Sequence, residues 1–413
     1  MKLQIRSITT TAATVLLLIV WTVVALQHLP SANAVPAPYE LTRRQIADFR
    51  RDGVIVVRGM LEGETLENAV KAVHTIQRKQ GWAQRLVHKI VPVYRNLGFQ
   101  TYRKHEALKT VAFDSTAPTI CAKLMGLDEE YKQTAATTTT TKDDDTTKKN
   151  PRSLRLLKEA IMGFSKGDLG CGWHVDDKTF WPCVDSHQDH PQDSTLSNHK
   201  RSCRSPNNKR RRIDAGINVW ISLSPVNAEE GGGLAVAPGS HNLTGRGRVG
   251  KILRRARVAI ASKGGATTCA LAKLDPASND YMEATKRVYN LQPGDAIVHD
   301  RYLFHKPDSF KENNNNDCDE DNDNNTIVTK QRISLRYMPS DATFFDNELG
   351  VDGAVNHKNL QTGDPLWKAG EYFPQTWPCQ LEAEAKAHPR QDVDLLGTKF
   401  LKQMVVSMLK KKK

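Results

Sequence analysis

Gly172-Trp173-His174-Val175-Asp176 sets an imidazole and a carboxylate two residues apart. On an extended strand, residues at that spacing project from the same face, so one metal ion could touch both. Far downstream, Tyr302-Leu303-Phe304-His305 offers a second imidazole, 131 residues after His174. Two His and one carboxylate form the facial ligand set that holds non-heme Fe(II) and leaves coordination positions open, and open positions imply chemistry rather than a structural metal. A bare His-x-Asp triplet arises often by chance, so its weight comes from the sequence around it.

Two stretches alternate with the period of a strand. Along 217–223, Ile217, Val219, Ile221 and Leu223 share one face, and Asn218, Trp220 and Ser222 share the other. Along 332–337, Ile333, Leu335 and Tyr337 oppose Arg332, Ser334 and Arg336. Each strand has an apolar face and a functional one, the pattern of a barrel or jelly roll whose interior holds a ligand. Helices flank this β domain. Thr42 with Gln45 forms a capping-box pattern ahead of Ile46 and Phe49, and Gly53 stops the helix. Val54 to Val57 reads as a strand, and a further helix carries Leu66, Val70 and Val73 on one stripe. The fold class is mainly β with flanking helices.

With 413 residues and 39% hydrophobic content, the chain can bury the core of one large catalytic domain. Residues 12–26 form an apolar run preceded by Lys2 and Arg6 and followed by Ala32-Asn33-Ala34, a small-x-small cleavage pattern. Residues 1–34 therefore read as a secretory signal peptide, with an uncleaved signal anchor as the alternative and residues 12–26 as the membrane tether. Either reading places the body of the chain in the secretory pathway, in the lumen or outside. Seven scattered Cys without a Cys-x-x-Cys pair exclude a zinc ribbon or a dense disulfide framework, while a lumenal setting accommodates one or two bridges. Cys171, three residues before His174, reads as inert packing. In a lumenal protein, Asn242-Leu-Thr and Asn324-Asn-Thr are glycosylation acceptors.

The net charge of +13 raises nucleic acid as a partner, yet the basic clusters at 209–212, 254–257 and 410–413 lack the interleaved aromatic residues that strand binding needs. No nucleic-acid partner is expected; Arg254, Arg255 and Arg257 are candidates to attract an anionic substrate. Three polar, low-complexity inserts, 133–150, 184–212 and 311–326, read as disordered surface loops. His187, His190 and His199 lie in the second and are excluded from the site, because a mobile loop supplies no fixed geometry. Residues 379–413 read as a basic tail.

Further motifs occur in order: Leu41-Thr42-Arg43-Arg44-Gln45-Ile46-Ala47-Asp48-Phe49, Gly231-Gly232-Gly233-Leu234 running to Pro238-Gly239-Ser240-His241, and Gln292-Pro293-Gly294-Asp295. With the stretches quoted above, they resemble the phytanoyl-CoA dioxygenase family of Fe(II)/2-oxoglutarate oxygenases over residues 40–378. The resemblance implies a double-stranded β-helix, the cupin-like jelly roll. It also implies Fe(II) on His174, Asp176 and His305, with 2-oxoglutarate as co-substrate and O2 as oxidant. Asp177 points to the opposite face. His299 shares the parity of His305, and the resemblance favours His305 because relatives carry the distal His several residues after the Gly294-Asp295 turn.

Arg332 and Ser334, in an Arg-x-Ser pattern, are implied to seat the distal carboxylate of 2-oxoglutarate, a role suited to the bidentate guanidinium. Lys330 and Arg336 share the parity of Arg332 and stay open for that role. Trp220, Asn218 and Met162 are implied to line the co-substrate pocket. His241 reads as a structural residue in a turn. The implied reaction hydroxylates a small-molecule or lipid-like substrate and yields succinate and CO2; Asp176 argues against halogenation, since related halogenases lack the carboxylate. No Ser-Lys-Leu type ending supplies a peroxisomal address, which speaks against phytanoyl-CoA itself. Two other classes compete: a catalytically silent lumenal binding protein on the same fold, and a cupin-type metal enzyme that does not use 2-oxoglutarate.

Overall fold

The Thr42 hydroxyl accepts from the backbone N–H of Gln45, and the Gln45 side chain accepts from the backbone N–H of Thr42. This reciprocal cap satisfies two donors that a helix start otherwise leaves open, and it begins α1 (Arg43–Asp52). Gly53 ends the helix in the left-handed region at φ 75°. The ring of His241 lies against it, so a Cβ there would meet Nδ1 at 2.4 Å, and only glycine fits on both counts. This computed structural model describes residues 39–79, 95–129, 132, 152–168, 170–176, 183–184, 216–241, 271–311, 329–344, 361, 364–365, 367–368, 370 and 373–378. The expected signal segment 1–34, the insert 133–150, the basic tail 379–413 and the segment 242–270, with Asn242 and Arg254, lie outside them. So do the inserts 184–212 and 311–326 apart from Val184 and Lys311. Among the described residues no helix is long and apolar enough to cross a membrane.

After α1 come β1 (Val54–Val57), α2 (Gly63–Arg78), β2 (Arg95–Phe99), a 3-10 turn (Thr101–Arg103), α3 (Glu106–Phe113), α4 (Ala117–Met125) and β3 (Leu154–Ser165). The chain continues through β4 (Cys183–Val184), β5 (Ile217–Ser222), β6 (Leu234–Val236), α5 (Leu271–Leu274), α6 (Pro276–Thr285) and β7 (Ala296–Asp300). It closes with β8 (His305–Pro307), β9 (Thr329–Pro339), β10 (Thr343–Phe344) and β11 (Gln375–Trp377). In α2 the buried stripe is Ala69, Val73 and Ile76. Leu66 and Val70, expected at its centre, lie half-buried at its edge.

Seven strands form the main sheet in the order β1-β7-β5-β9-β3-β11, with β2 also on β3, and every pairing is antiparallel. Register aligns residues into rows across it. One row runs His299, Asn218, Arg336, Lys158; the next runs Ile297, Trp220, Ser334, Ala160. Both face the same way, because side chains alternate with period two. The opposite face carries Val219, Ile221, Ile333, Leu335 and Tyr337, all buried, and the Tyr337 hydroxyl donates to the Ala112 carbonyl of α3 at 2.7 Å. The apolar faces read from 217–223 and 332–337 are therefore the ones the helices cover.

A smaller two-stranded sheet, β6 with β8, lies over the functional face. Val54, Trp220 and Ile297 of the main sheet pack with Leu234, Val236 and Leu303 in one buried apolar cluster. His174 joins this layer through a single antiparallel bridge to His305, with N–H to carbonyl bonds of 3.1 and 2.9 Å. The segment expected as a strand around His174 and Asp176 is thus extended, with one bridge residue. Its alternation is intact. Trp173 and Val175 enter a second buried cluster with Leu271 and Met282, while His174 and Asp176 belong to the other side.

Candidate active site

His174, Asp176 and His305 come together, each buried, with one ligand atom apiece all within 4.8 Å of one another. They are the only such group found among the described residues. His305 Nε2 stands 3.9 Å from Asp176 Oδ1. The other ring nitrogens are engaged: His174 Nδ1 with the Gly172 carbonyl at 2.8 Å and His305 Nδ1 with the Leu303 carbonyl at 2.9 Å. A carbonyl can only accept, so Nδ1 carries the proton and each Nε2 keeps its lone pair for a metal. Burial, the largest cause, pushes both imidazoles down to about 4, which leaves them neutral at neutral pH.

Asp176 is held from several sides. Its Oδ2 accepts from Asn218 Nδ2 at 2.6 Å and from Arg336 Nε at 3.1 Å. Its backbone carbonyl accepts from Arg301 Nε at 2.9 Å, and its N–H donates to the Arg301 carbonyl at 3.1 Å. Burial would raise this carboxyl, but the Arg336 guanidinium, with smaller help from the surrounding imidazoles, outweighs it and holds Asp176 well below the usual carboxylate range. Oδ1 is buried and has no hydrogen-bond partner. A fully buried carboxylate oxygen left open beside two imidazole lone pairs fits a divalent cation, since such an atom is otherwise costly to bury.

His299 lies beside this group, its ring centroid 4.6 Å from that of His305 and its Nδ1 bonded to the Asp300 carbonyl. It does not join the three-residue ligand group. Asn218, expected along the co-substrate pocket, sits on the Asp176 carboxylate. Register separates the three candidate cations of β9. Arg336 is the cation on Asp176, and Lys330 Nζ donates to the Pro225 carbonyl at 2.9 Å in an exposed contact. Arg332 is buried, with its guanidinium carbon 5.3 Å from the Trp220 ring and 5.9 Å from Phe164. Met162 is the cross-strand partner of Arg332, and Ser334 that of Trp220. Phe164 stacks on Phe310 at 5.5 Å, and Phe310 approaches the Gly231-Gly232 backbone so closely that a Cβ on Gly232 would meet its ring at 2.5 Å. That contact accounts for the glycine run on which part of the resemblance rests.

The sequence profile of the phytanoyl-CoA dioxygenase (PhyH) family matches residues 49–309. The chain belongs to that family. This makes it a 2-oxoglutarate-dependent oxygenase by family, and the matched span contains all three ligand residues. Among solved structures, the non-heme alpha-ketoglutarate-dependent carbocyclase SnoK from nogalamycin biosynthesis is similar at TM-score 0.50 and 18% identity, over 82% of this chain and 99% of that one. The epimerase SnoN, solved with Fe3+, alpha-ketoglutarate and nogalamycin RO, is similar at TM-score 0.50 and 16% identity, over 81% and 97%. At such identities the likeness concerns the fold alone. No curated protein matches the chain in sequence.

In this phytanoyl-CoA dioxygenase family site, the sequence offers no sign of Arg301, and it names Arg336 only as an open candidate for the co-substrate. Arg301 pins the backbone of Asp176, and Arg336 fixes its carboxylate. The parity shared by Arg336 and Arg332 was the available signal, and only register tells which cation meets which anion. Cys171 is disulfide-bonded rather than inert packing. Cys121 is free and buried, and burial pushes its thiol well up. His241 lies beneath Gly53, as a structural residue. Asp177 lies outside the described residues.

Proposed function

We propose that the chain is an Fe(II)- and 2-oxoglutarate-dependent dioxygenase that hydroxylates a small-molecule or lipid-like substrate. The observation that carries this reading is the open Oδ1 of Asp176 facing two neutral imidazoles. His174, Asp176 and His305 would hold Fe(II) on one face, and Arg336 with Asn218 directs the carboxylate to bind through a single oxygen. When bound, Fe(II), 2-oxoglutarate and dioxygen supply the oxidising chemistry that turns a C–H bond into C–OH while 2-oxoglutarate leaves as succinate and CO2. A carboxylate in the third ligand position favours hydroxylation over halide transfer.

Arg332 is the cation for the distal carboxylate of 2-oxoglutarate. Burial between Trp220 and Phe164 removes competing water and strengthens its hold on an anion. Ser334 lies beside it on the same face, and Trp220 and Met162 form walls. The apolar packing of Trp220 and Leu303 beside the ligands keeps solvent from the reacting centre. The main sheet and the small β6/β8 sheet enclosing the site support a double-stranded β-helix. The Cys171 disulfide supports the secretory pathway as the compartment, with residues 1–34 as the leader, because disulfides persist in oxidising surroundings.

Calorimetric titration of 2-oxoglutarate into the Fe(II)-loaded protein without oxygen tests the reading. The wild type should bind, Arg332→Ala should bind about 10- to 100-fold more weakly, as loss of a charged hydrogen bond implies, and Lys330→Ala should bind as the wild type. Absence of 2-oxoglutarate binding by a metal-loaded wild type would point to the cupin-type alternative.

A further inference from the structure

His174, His305 and His299 share one device. Each directs its Nδ1 proton to a backbone carbonyl, those of Gly172, Leu303 and Asp300, at 2.8, 2.9 and 2.9 Å. In the first two, that bond fixes the ring so that Nε2 is the atom left for a metal. His299 does not join the ligand group, so its Nε2 calls for another partner. Burial and the nearby Arg336 guanidinium keep the ring neutral, which makes Nε2 an acceptor, and among the described residues no donor meets it. The anchor of the ring is firm, because the Asp300 N–H donates in turn to the Gly53 carbonyl at 2.8 Å. Directly opposite His299 in register stands Asn218. Its amide nitrogen is engaged by Asp176, and its Oδ1 is buried with no hydrogen-bond partner. Two acceptors thus lie side by side on β5 and β7, with the apolar Ile297 and Trp220 in the next row. Solvent reaches this face beside them: the side chains of His305 and Arg336 are 8% and 12% exposed.

Resting on the dioxygenase reading above, we infer that His299, seconded by Asn218, accepts a hydrogen bond from a hydroxyl group of the primary substrate, so that the substrate is an alcohol held beside the iron ligands. A buried acceptor without a donor is costly, and a ligand that brings a donor removes the cost. A ketone or an ether would set lone pairs against lone pairs. A protonated amine also brings donors, yet it would stand beside the Arg336 guanidinium and a divalent cation, and that repulsion selects the neutral group. The low polarity around Ile297 and Trp220 strengthens the bond. His299 is then a specificity-determining residue, which selects the substrate while His174, Asp176 and His305 hold the metal.

The test is proton NMR of three matched probes, cyclohexanol, cyclohexanone and cyclohexylamine, with the full chain loaded with Fe(II) and 2-oxoglutarate without oxygen, since paramagnetic broadening reports even weak binding next to the metal. The wild type should bind cyclohexanol about 10-fold more tightly than either other probe, the difference made by one good hydrogen bond. His299→Phe, which keeps a ring against His305, should lose the preference for the alcohol over the ketone while binding iron and 2-oxoglutarate as the wild type does. His299→Gln, which restores an acceptor, should recover part of that preference. A wild type that broadens alcohol and ketone alike, or neither, overturns the inference without any variant, even if His299→Phe fails to fold. Preference for the amine overturns the hydroxyl assignment. A His299→Phe protein that keeps the preference overturns it too, as does one that loses iron, which would make His299 a ligand. Failure of the wild type to bind 2-oxoglutarate is the separate result that sinks the dioxygenase reading.

Discussion

Asp176 and Glu159 are both buried carboxyls, on opposite sides of the same architecture, and their surroundings differ in kind. Asp176 faces Arg336, Asn218 and two ligand imidazoles, keeps one oxygen open, and is held well below the usual carboxylate range. Glu159 faces the helices. Its Oε1 accepts from the Thr101 hydroxyl at 2.7 Å and its Oε2 from the backbone N–H groups of Thr101 and Tyr102. Burial pushes Glu159 up to about 7 despite those bonds. Neutral donors satisfy a carboxyl without making its charge welcome, whereas a guanidinium does so and leaves an oxygen over for a metal. Burial alone therefore does not mark a functional carboxylate. An adjacent cation combined with an unsatisfied lone pair does.

The largest effect separates the two outright. Asp176→Ala should lose iron, by more than about 100-fold in affinity given that supporting residues alone contribute 10- to 100-fold, and with it 2-oxoglutarate turnover; Glu159→Gln should keep both. Metal content per chain and succinate formation are the measurements, and full turnover in Asp176→Ala would remove the ligand assignment.

Glu159 provides the next largest effect, in stability. Its folded value of about 7 lies above the ordinary 4.5, so between those pH values the native chain holds a proton that the unfolded chain has released. Stability is therefore greatest below about pH 4.5 for this group, falls as pH rises through 7, and levels off having lost about 3 kcal/mol. In urea denaturation at pH 4.5 and pH 8, Glu159→Gln should lack that fall; parallel behaviour of the two proteins would show that Glu159 is ionised in the fold at little expense.

Much of this was legible in the sequence, and the rest was hidden for definite reasons. The ligand set could be read because His174 and Asp176 are two residues apart, and because period-two alternation survives even where the strand shrinks to one bridge. The faces of 217–223 and 332–337 could be read for the same reason. Partnership could not. Parity groups Lys330, Arg332 and Arg336 together, whereas pairing with β5 and β3 distributes them to a carbonyl, an aromatic slot and Asp176. Lys158 was invisible for a sharper reason: the register shifts between Leu156 and Lys158, which breaks the alternation that would have shown where the side chain points. The disulfide at Cys171 had no spacing signal, since the Cys residues are scattered.

Arg336 and Tyr337 are neighbours on β9 that point to opposite faces, and they bring the comparison down to adjacent residues. Arg336→Gln removes the cation from Asp176 and should weaken metal binding roughly 10- to 100-fold in a competitive chelator titration, as expected for a group orienting a ligand. Arg336→Lys should recover part of it. A variant with unchanged metal affinity but weakened 2-oxoglutarate binding would move Arg336 into the co-substrate role and release Arg332 from it.

Tyr337→Phe should do the reverse at the smallest scale. The phenol donates to the Ala112 carbonyl at 2.7 Å, the ring is fully buried, and burial pushes the hydroxyl well up, so it stays protonated and able to donate. Its removal deletes one hydrogen bond to a carbonyl in the last turn of α3, a loss of about 1 kcal/mol. That loss should appear as a lower urea midpoint with an unchanged slope, while the chelator titration reads the same metal affinity as the wild type. If metal affinity falls as well, the two faces of β9 are mechanically coupled, and the division between a face that holds the helices and a face that holds the metal ligands is less complete than Asp176 and Glu159 suggest.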